Sequence, residues 1–256
     1  MVRRLQWFVL GLVVVVGLIG LWQAIYLLRV ISPVFMPGPG QVADAIWRGL
    51  TGGTLLSQAG STISRMLIGW IFASLAGMVL GLLIGGSPKI RPYLQPSLEF
   101  LRPLPAPAVV PVAIAIMGLS DSMVLLIVVF GALWPVLLGT IHGVTSMEPR
   151  LYEVSRILRM SKREFIWKML LPSAVPDILA GVKLGLGISL ILTIVGEMLA
   201  SRYGIGHAII MAARSYRSAD LYAGIVIIGV MGYLTTTVLS SLERRVLAYR
   251  TPVDEW

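Results

Sequence analysis

Few side chains in this sequence could carry out catalysis. The chain contains no Cys and two His, His142 and His207. Neither His stands in an H-E-x-x-H pattern or a similar metal-ligand spacing. The G-x4-G-K-[S/T] loop that would cradle ATP phosphates does not occur in the sequence either. The residue types therefore disfavour an enzyme, and no metal or other cofactor is expected in this chain.

Glu197 is the acidic residue that stands out inside an apolar run, residues 178–200. Ionisable groups at membrane depth are rare and point to function by default. One interpretation is a helix-end carboxylate that pairs with Arg202, five residues on, or that faces an outer vestibule. The other is a gate or pathway group, and both interpretations fit the sequence.

The longest polar interval runs from Tyr152 to Pro172 and carries five basic and two acidic residues. Pro149 suits the first turn of a helix that leads into this interval. Ser161, with Glu164 three residues later, forms a capping box that marks the start of a second helix. Pro172 and the proline four residues after it are expected to end that helix. The interval therefore predicts a helix–turn–helix.

An apolar face is expected on the first of these two helices. Leu151, Val154, Ile157 and Leu158 fall on one side of it, and Glu153 falls on another. Such a pair of helices could lie on the lipid surface, held there by basic residues. It could equally be a docking element for a cytoplasmic partner, and charge alone does not separate the two interpretations.

The elements that hold these residues are predicted to be membrane-spanning helices. The chain has 256 residues, of which 57% are hydrophobic and 13% charged, and its mean hydropathy is +0.87. Several runs reach the ~20 apolar residues that cross a hydrocarbon core of ~30 Å. The sequence therefore predicts an all-α polytopic helix bundle that forms one domain over residues 1–256. Its six spans are expected near 5–28, 61–86, 95–118, 122–143, 178–200 and 221–242, with a cytoplasmic loop at 144–177.

Lys and Arg residues predict the orientation of the chain. With the N-terminus inside, six of the 21 fall on the outer side and the other 15 on the inner side. Basic residues collect in cytoplasmic loops, so both termini are expected to be cytoplasmic. The net charge of +9 fits this bias, and no nucleic-acid partner is expected. The first apolar run is too long for a signal peptide and lacks an A-x-A-like site, which predicts an uncleaved span. The six outer residues are Arg29, Arg48, Arg65, Arg202, Arg214 and Arg217.

Prolines concentrate in the third predicted span. Pro103 and Pro105 predict a strained or non-helical entry, and Pro111 is expected to kink the helix. Trp134–Pro135 predicts a second kink, in the fourth span. Broken backbone at membrane depth is tolerated where protein or a water-filled cavity satisfies it, so a pathway-lining gate and a packed structural kink both fit. The candidates for the pathway or gate are Pro103, Pro105, Pro111, Met117, Trp134 and Glu197.

The polar interval resembles the EAA loop of the membrane subunits of bacterial ABC importers, whose pattern is E-A-A-x3-G-x9-I-x-L-P. Glu153, Leu171 and Pro172 match that pattern, and Ser155 is a small substitute for the second Ala. The resemblance implies that this loop docks on an ATPase subunit. The ATPase-coupling residues that it implies are Glu153, Val154, Ser155, Arg159, Met160, Leu171 and Pro172.

Three positions depart from the EAA pattern. Val154 replaces the first Ala, Met169 replaces the Ile, and Arg159 stands where the Gly is expected. That Gly usually makes the turn, and a non-Gly residue in the left-handed region costs on the order of 1 kcal/mol.

Further motifs resemble the nitrate/sulfonate/taurine branch of these permeases, and the likeness covers roughly residues 30–245. The resemblance implies a type I ABC importer (MetI-like) permease fold with a cytoplasmic coupling helix, in the bacterial inner membrane. These motifs are Leu101-Arg-Pro-Leu-Pro with Pro111 and Met117-Gly118, then Leu171-Pro-Ser-Ala-Val-Pro176, Gly181-x3-Gly185, Glu197 and Gly204-x-Gly206.

The same resemblance implies the partners. They are a second copy of the permease, two ATPase subunits that bind ATP and Mg²⁺, an extracytoplasmic solute-binding protein, and the lipid bilayer. The implied solute is a small anion such as a sulfonate, taurine or nitrate.

An ion-coupled secondary transporter is the alternative function. It would need buried ionisable groups as coupling sites, and the candidates are Glu197, Lys183 and Glu99. An inverted repeat, which many such transporters contain, is not evident in the sequence.

Overall fold

The computed structural model describes residues 2–247 of the chain, and its regular elements are all helical within that range. Arg250 is one of the 15 basic residues counted on the inner side, and it lies outside the described residues. The α-helices are α1 (Val2–Leu27), α2 (Pro39–Thr51), α3 (Thr54–Gly85), α4 (Arg91–Leu101), α5 (Val110–Met117), α6 (Asp121–Thr145), α7 (Pro149–Ile157), α8 (Lys162–Phe165), α9 (Leu171–Ala200), α10 (Ile205–Arg214) and α11 (Ser218–Val246).

Five helices are long and apolar enough to cross a membrane. They are α1, α3, α6, the continuous helical run Lys162–Ala200, and α11. A sixth crossing is possible if α4 and the run Ala106–Met117 count as one bent span. The described chain is thus an all-α membrane bundle, as the composition predicts.

The third predicted span differs from its expected form. α4 and the run Ala106–Met117 are bent by 86° at residues 102–105, which include Pro103 and Pro105, so the non-helical entry predicted from these prolines is confirmed. The expectation of a kink at Pro111 is wrong because the bend lies before this run, and Pro111 stands in the first turn of α5, directly after a 3₁₀ turn. In the fourth span, α6 continues as a helix through Pro135.

The expectation that Pro172 ends the second loop helix is also wrong. A π-helical turn, Ile166–Leu170, joins α8 to α9 without interruption. Pro172 lies in the first turn of α9, directly after this wider turn, where a missing donor is tolerated. The next proline, Pro176, lies inside α9.

The chain divides into two compact units, and each is described by itself. The first contains residues 2–61 and 203–230 of the described chain. Its small core is formed by Val42 and Ala45 of α2 and Ala223 of α11. Trp22 of α1 stacks on Tyr222, with 6.0 Å between the ring centroids. No residue in the most apolar window of α1, Leu10–Leu27, is fully buried, and Trp22 in that window is half-buried at this contact.

The second unit contains residues 62–202 and 231–247, and α6 and α9 pack closely at its centre. A Cβ atom built on Gly181 of α9 would lie 2.4 Å from the carbonyl oxygen of Pro135. One built on Gly139 of α6 would lie 2.7 Å from the carbonyl oxygen of Asp177. Both distances are shorter than a real Cβ contact, so the backbones approach this closely because these positions are glycine.

Candidate functional site

The turn between α7 and α8 is a Schellman motif closed by Arg159. Arg159 has φ +47°, in the left-handed region that favours glycine. Its N–H donates to the carbonyl of Arg156 at 3.0 Å, and the N–H of Met160 donates to the carbonyl of Ser155 at 3.0 Å. The turn geometry expected of a glycine is therefore kept with an arginine in its place.

The second loop helix begins at the capping box that the sequence predicts. The amide of Glu164 donates to Ser161 Oγ at 3.3 Å, and Glu164 Oε2 accepts from the Ser161 amide at 3.1 Å. The run Lys162–Ala200 has 39 residues, and it rises about 58 Å, roughly twice the hydrocarbon thickness, so its charged first turns lie outside the membrane. Hydrogen bonds from the Ser161 amide and hydroxyl, and then from Lys168, lower the pKa of Glu164 to about 2.

The loop is anchored in the core of the second unit through its aromatic and aliphatic side chains. Tyr152 and Phe165 lie with ring centroids 5.1 Å apart, which ties α7 to α8. Leu151 and Phe165 pack against a buried cluster that joins α6, the π-helical turn and α9. This packing connects α7 and α8 to both central helices. The buried members of this cluster are Val136, Val144, Met147, Leu170, Ala174, Ile178 and Val182.

The remaining apolar face of α7 is exposed. Ile157 is 79% exposed and Leu158 is 63% exposed, and Val154 is exposed as well. Glu153 is also exposed, so a carboxylate lies beside this apolar surface. A contiguous exposed apolar surface rimmed by charge is typical of a protein contact site.

The other predicted coupling residues are less exposed. The Ser155 hydroxyl donates to the carbonyl of Tyr152 at 2.7 Å. Met160, Leu171 and Pro172 are all half-buried. The structure thus brings the predicted residues together in one loop, some on its surface and some at its base.

An open cavity of 780 Å³ lies among α6, α9 and the segment after α4 in the second unit. Most of its wall is apolar, and its polar residues are Arg102, Trp134, His142 and Asp177. Of the predicted pathway residues, Trp134 lines this cavity. Pro103, Pro105, Pro111 and Met117 are exposed and do not line it.

Glu197 belongs to a buried ion network, and its expected pairing with Arg202 is wrong. The Glu197 side chain is fully buried, accepts from Arg65 Nη1 at 2.8 Å and accepts from the Thr62 hydroxyl at 2.9 Å. Arg65 Nε also donates to Asp121 at 2.9 Å. Arg202 binds Asp121 instead, through Nε at 3.1 Å and Nη2 at 2.7 Å. Position in the sequence misled here because the nearest cation along the chain is not the nearest one in space.

The ionisable groups that an ion-coupled transporter would use have partners of their own. Lys183 Nζ lies 3.1 Å from Glu243 Oε2, and Glu99 accepts from the side chain of Gln95 at 2.8 Å. Lys183 thus links α9 to α11, whereas Glu99 is bonded within α4.

Sequence reasoning missed Arg65 and Asp121 of the network, and it missed Asp177 of the cavity as a site residue. Their only sequence signal was a charge at the edge of an apolar run, a pattern that many membrane helices share. Arg102 was noted within the Leu101-Arg-Pro motif but not as a cavity residue.

Comparison with known proteins gives a consistent result. The family described as "Binding-protein-dependent transport system inner membrane component" matches residues 73–250. The chain is 33% identical over 252 residues to the putative aliphatic sulfonates transport permease protein SsuC of Bacillus subtilis, which covers 98% of this chain and 91% of that one. It is 27% identical to the taurine transport system permease protein TauC of Escherichia coli, over 98% and 96% of the two chains. It is 30% identical to the nitrate import permease protein NrtB of Leptolyngbya laminosa, over 80% and 74%.

Solved structures share the fold. An inward-facing conformation of the MetNI methionine ABC transporter aligns with a TM-score of 0.67 at 16% identity, covering 77% of this chain and 97% of that one. An amino acid ABC transporter crystallised with histidines aligns with a TM-score of 0.60 at 16% identity, over 75% and 92% of the two chains. These likenesses support the predicted MetI-like permease fold.

Proposed function

This chain belongs to the family of binding-protein-dependent transport system inner membrane components, and from that premise we propose that it imports a small organic sulfonate. It is the permease subunit of an ABC importer, a transport protein and not an enzyme. Membership of the family implies an ATPase and a binding protein as its partners.

The proposed solute class is supported by the relatives' names. Two of them are permeases for aliphatic sulfonates and for taurine, and these two cover 98% of the chain. The nitrate permease matches less of the chain, 80%. We therefore favour a sulfonate over nitrate as the solute.

The exposed apolar and acidic face of α7 carries the proposal for coupling. This face has no partner among the described residues, whereas Leu151 and Phe165 on the same helix pair are packed into the core. In the proposed mechanism, closure of two ATPase subunits on ATP and Mg²⁺ pulls α7, and Leu151 and Phe165 carry the movement to α6 and α9. The coupling residues would be Glu153, Val154, Ser155, Arg159, Met160, Leu171 and Pro172.

The assembly and orientation are part of the same proposal. Two copies of the permease would pair, with both termini and α7 in the cytoplasm, as the bias of basic residues favours. On the outer side, Arg214 and Arg217 would form a rim on which an acidic binding protein docks.

The test is uptake of radiolabelled hexanesulfonate by cells that express the permease with its neighbouring ATPase and binding protein. We expect uptake that stops when the ATPase gene is deleted. Glu153→Ala is expected to reduce uptake at least tenfold at normal membrane abundance, because the ATPase loses a contact on α7. Glu99→Ala, which removes an exposed carboxylate on α4, serves as the control and should leave uptake unchanged.

Two results would contradict the proposal. Uptake that persists without the ATPase would rule out ATP-driven import. Wild-type uptake by the Glu153→Ala variant would remove α7 from the coupling mechanism while leaving the family assignment intact.

A further inference from the structure

The cavity of the second unit has chemically different ends. Its polar residues include Arg102, His142 and Asp177, whereas Gly131, Ile188 and Leu192 form an apolar part of the wall. A volume of 780 Å³ lies within the range of about 300–1,000 Å³ that is typical of small-molecule sites. The wall therefore suits a solute that carries both a charge and an apolar body.

The order of residues along α6 separates these two ends. Trp134 and His142 are eight residues apart on one continuous helix, a rise of about 12 Å. A Cβ atom built on Gly143 would lie 3.0 Å from Cβ of Asp177, which places Asp177 at the same level as His142. A Cβ atom built on Gly131 would lie 2.2 Å from a methyl carbon of Leu192, which places Leu192 above Trp134, at the other end.

Arg102 lies between these levels. It shares a second, smaller cavity with Glu99, Leu138 and Ile141, and Leu138 is one turn from both Trp134 and His142. Within the described chain, none of Arg102, Glu99 and Asp177 forms an ion pair. The guanidinium can therefore bind an anion, although Glu99 lines the smaller cavity beside it and Asp177 lines the larger one.

Trp134 contributes its ring to the wall. Its indole Nε1 is enclosed by protein, so the N–H does not face the cavity. The ring is held by an edge-to-face contact with Phe130, with the centroids 5.9 Å apart. The part of Trp134 that lines the cavity is therefore apolar.

We propose that this cavity is a solute subsite for alkanesulfonates, in which Arg102 binds the sulfonate and the apolar end, with the Trp134 ring, holds the alkyl chain. This inference rests on the proposed solute class. Asp177 opposes an anion, so part of the binding must come from burial of the chain. Nitrate has no apolar part and gains nothing from the apolar end.

The absence of Cys from the sequence provides a direct test. Ala180→Cys places one thiol in the cavity wall, and Leu184→Cys, one turn further along α9, places a second reporter there. The transporter, with its ATPase subunits, is held in lipid nanodiscs without ATP and treated with N-ethylmaleimide. The rate of alkylation is measured with methanesulfonate, butanesulfonate, hexanesulfonate or nitrate present. Ser146→Cys, an exposed thiol outside the cavity wall, is the control.

We expect the alkanesulfonates to protect the cavity thiols and not the control thiol. The half-protecting concentration should fall about fourfold for each added methylene, because burial of one CH₂ contributes about 0.8 kcal/mol. Nitrate should not protect at the concentrations at which hexanesulfonate does.

Three substitutions test the wall. Arg102→Gln removes the cation and should weaken protection by hexanesulfonate about tenfold. Trp134→Phe keeps an aromatic ring in the apolar wall and should leave that protection unchanged. Asp177→Asn should strengthen it several-fold because a repelling charge is removed. Trp167→Phe, at an exposed site outside the cavity, should have no effect.

The outcomes separate this inference from the proposed function. Hexanesulfonate uptake without protection of either cavity thiol, or with protection that does not depend on chain length, would overturn the subsite and leave the proposed function standing. Protection without uptake would overturn the proposed solute but support the subsite. If neither occurs, both the solute class and the subsite are wrong.

Discussion

The two ends of the second unit use charge in different ways. At the end where α6 begins and α9 finishes, Asp121, Glu197, Arg65 and Arg202 bind one another, and the carboxylate of Glu197 is fully buried. At the other end, about 37 Å away along the 25 residues of α6, the charges of α7 and α8 are exposed, and so is Ile157.

This difference separates a structure completed within the chain from one that needs a partner. Buried charges must be paired, so the ion network fixes α3, α6 and α9 to one another whatever the chain binds. Exposed apolar groups on α7 lack such packing within the described chain, and in the proposed mechanism another surface would cover them. The network end would then act as a fixed point while the ATPase moves the loop end.

The largest effect is expected at the network. Glu197→Ala removes a buried carboxylate that binds Arg65 and Thr62. Arg65 keeps Asp121, so the free energy of unfolding should fall by about 3 kcal/mol, the lower part of the range for a broken buried pair. The measurement is thermal unfolding of the purified permease in nanodiscs, together with its abundance in the membrane.

Glu243→Ala is the matched control for that substitution. It breaks the pair with Lys183, in which both side chains are partly exposed, so its effect should be below 1 kcal/mol. Equal losses in the two variants would show that burial does not distinguish the network from an ordinary ion pair.

Sequence predicted the elements of the two ends better than it predicted their contacts. The capping box at Ser161 is a local pattern that spans four residues, and the structure contains it. The partner of Glu197 depends on how α3 packs against α9, which no local spacing encodes. The cavity was missed for the same reason, because Arg102 and Asp177 are 75 positions apart in the sequence and meet through packing.

Prolines gave mixed results because their effect depends on the register of the helix. Pro111 and Pro172 were expected to kink or end helices, but Pro111 lies in the first turn after the 3₁₀ turn Ala106–Val109 and Pro172 lies in the first turn after the π-helical turn, so neither interrupts a regular α-helical segment. The break after α4 lies at Pro103 and Pro105, where the sequence predicts a non-helical entry. The π-helical turn, in contrast, has no sequence pattern of its own.

A smaller effect is expected at the turn of the loop. Arg159→Gly places glycine at a left-handed backbone position, which stabilises the folded turn by on the order of 1 kcal/mol. Glycine also gives the unfolded chain more conformational freedom, and this offsets part of the gain. We expect the thermal midpoint to stay constant or rise slightly. Arg156→Gly, inside α7, should instead lower stability by about 1 kcal/mol. A loss in Arg159→Gly as large as that in Arg156→Gly would mean that the Arg159 side chain stabilises the turn through contacts of its own.

The smallest effect is expected at the capping box, where it depends on pH. The pKa of Glu164 falls from 4.5 to about 2 in the folded loop, so its contribution to stability is complete above pH 4.5 and is lost as the pH falls toward 2. Glu164→Gln keeps the side-chain acceptor without the charge, so the difference in thermal midpoint from the wild type should shrink as the pH falls from 4.5 toward 2.

Lys168→Met is the control for the exposed ion pair. It removes the i+4 ion pair with Glu164 and keeps the bonds from Ser161. Because the Ser161 amide is the largest cause of the pKa shift, most of the pH-dependent difference should remain in the Lys168→Met background. Its disappearance there would instead assign the shift to the exposed ion pair, and the loop end would then be held by charges that salt can screen.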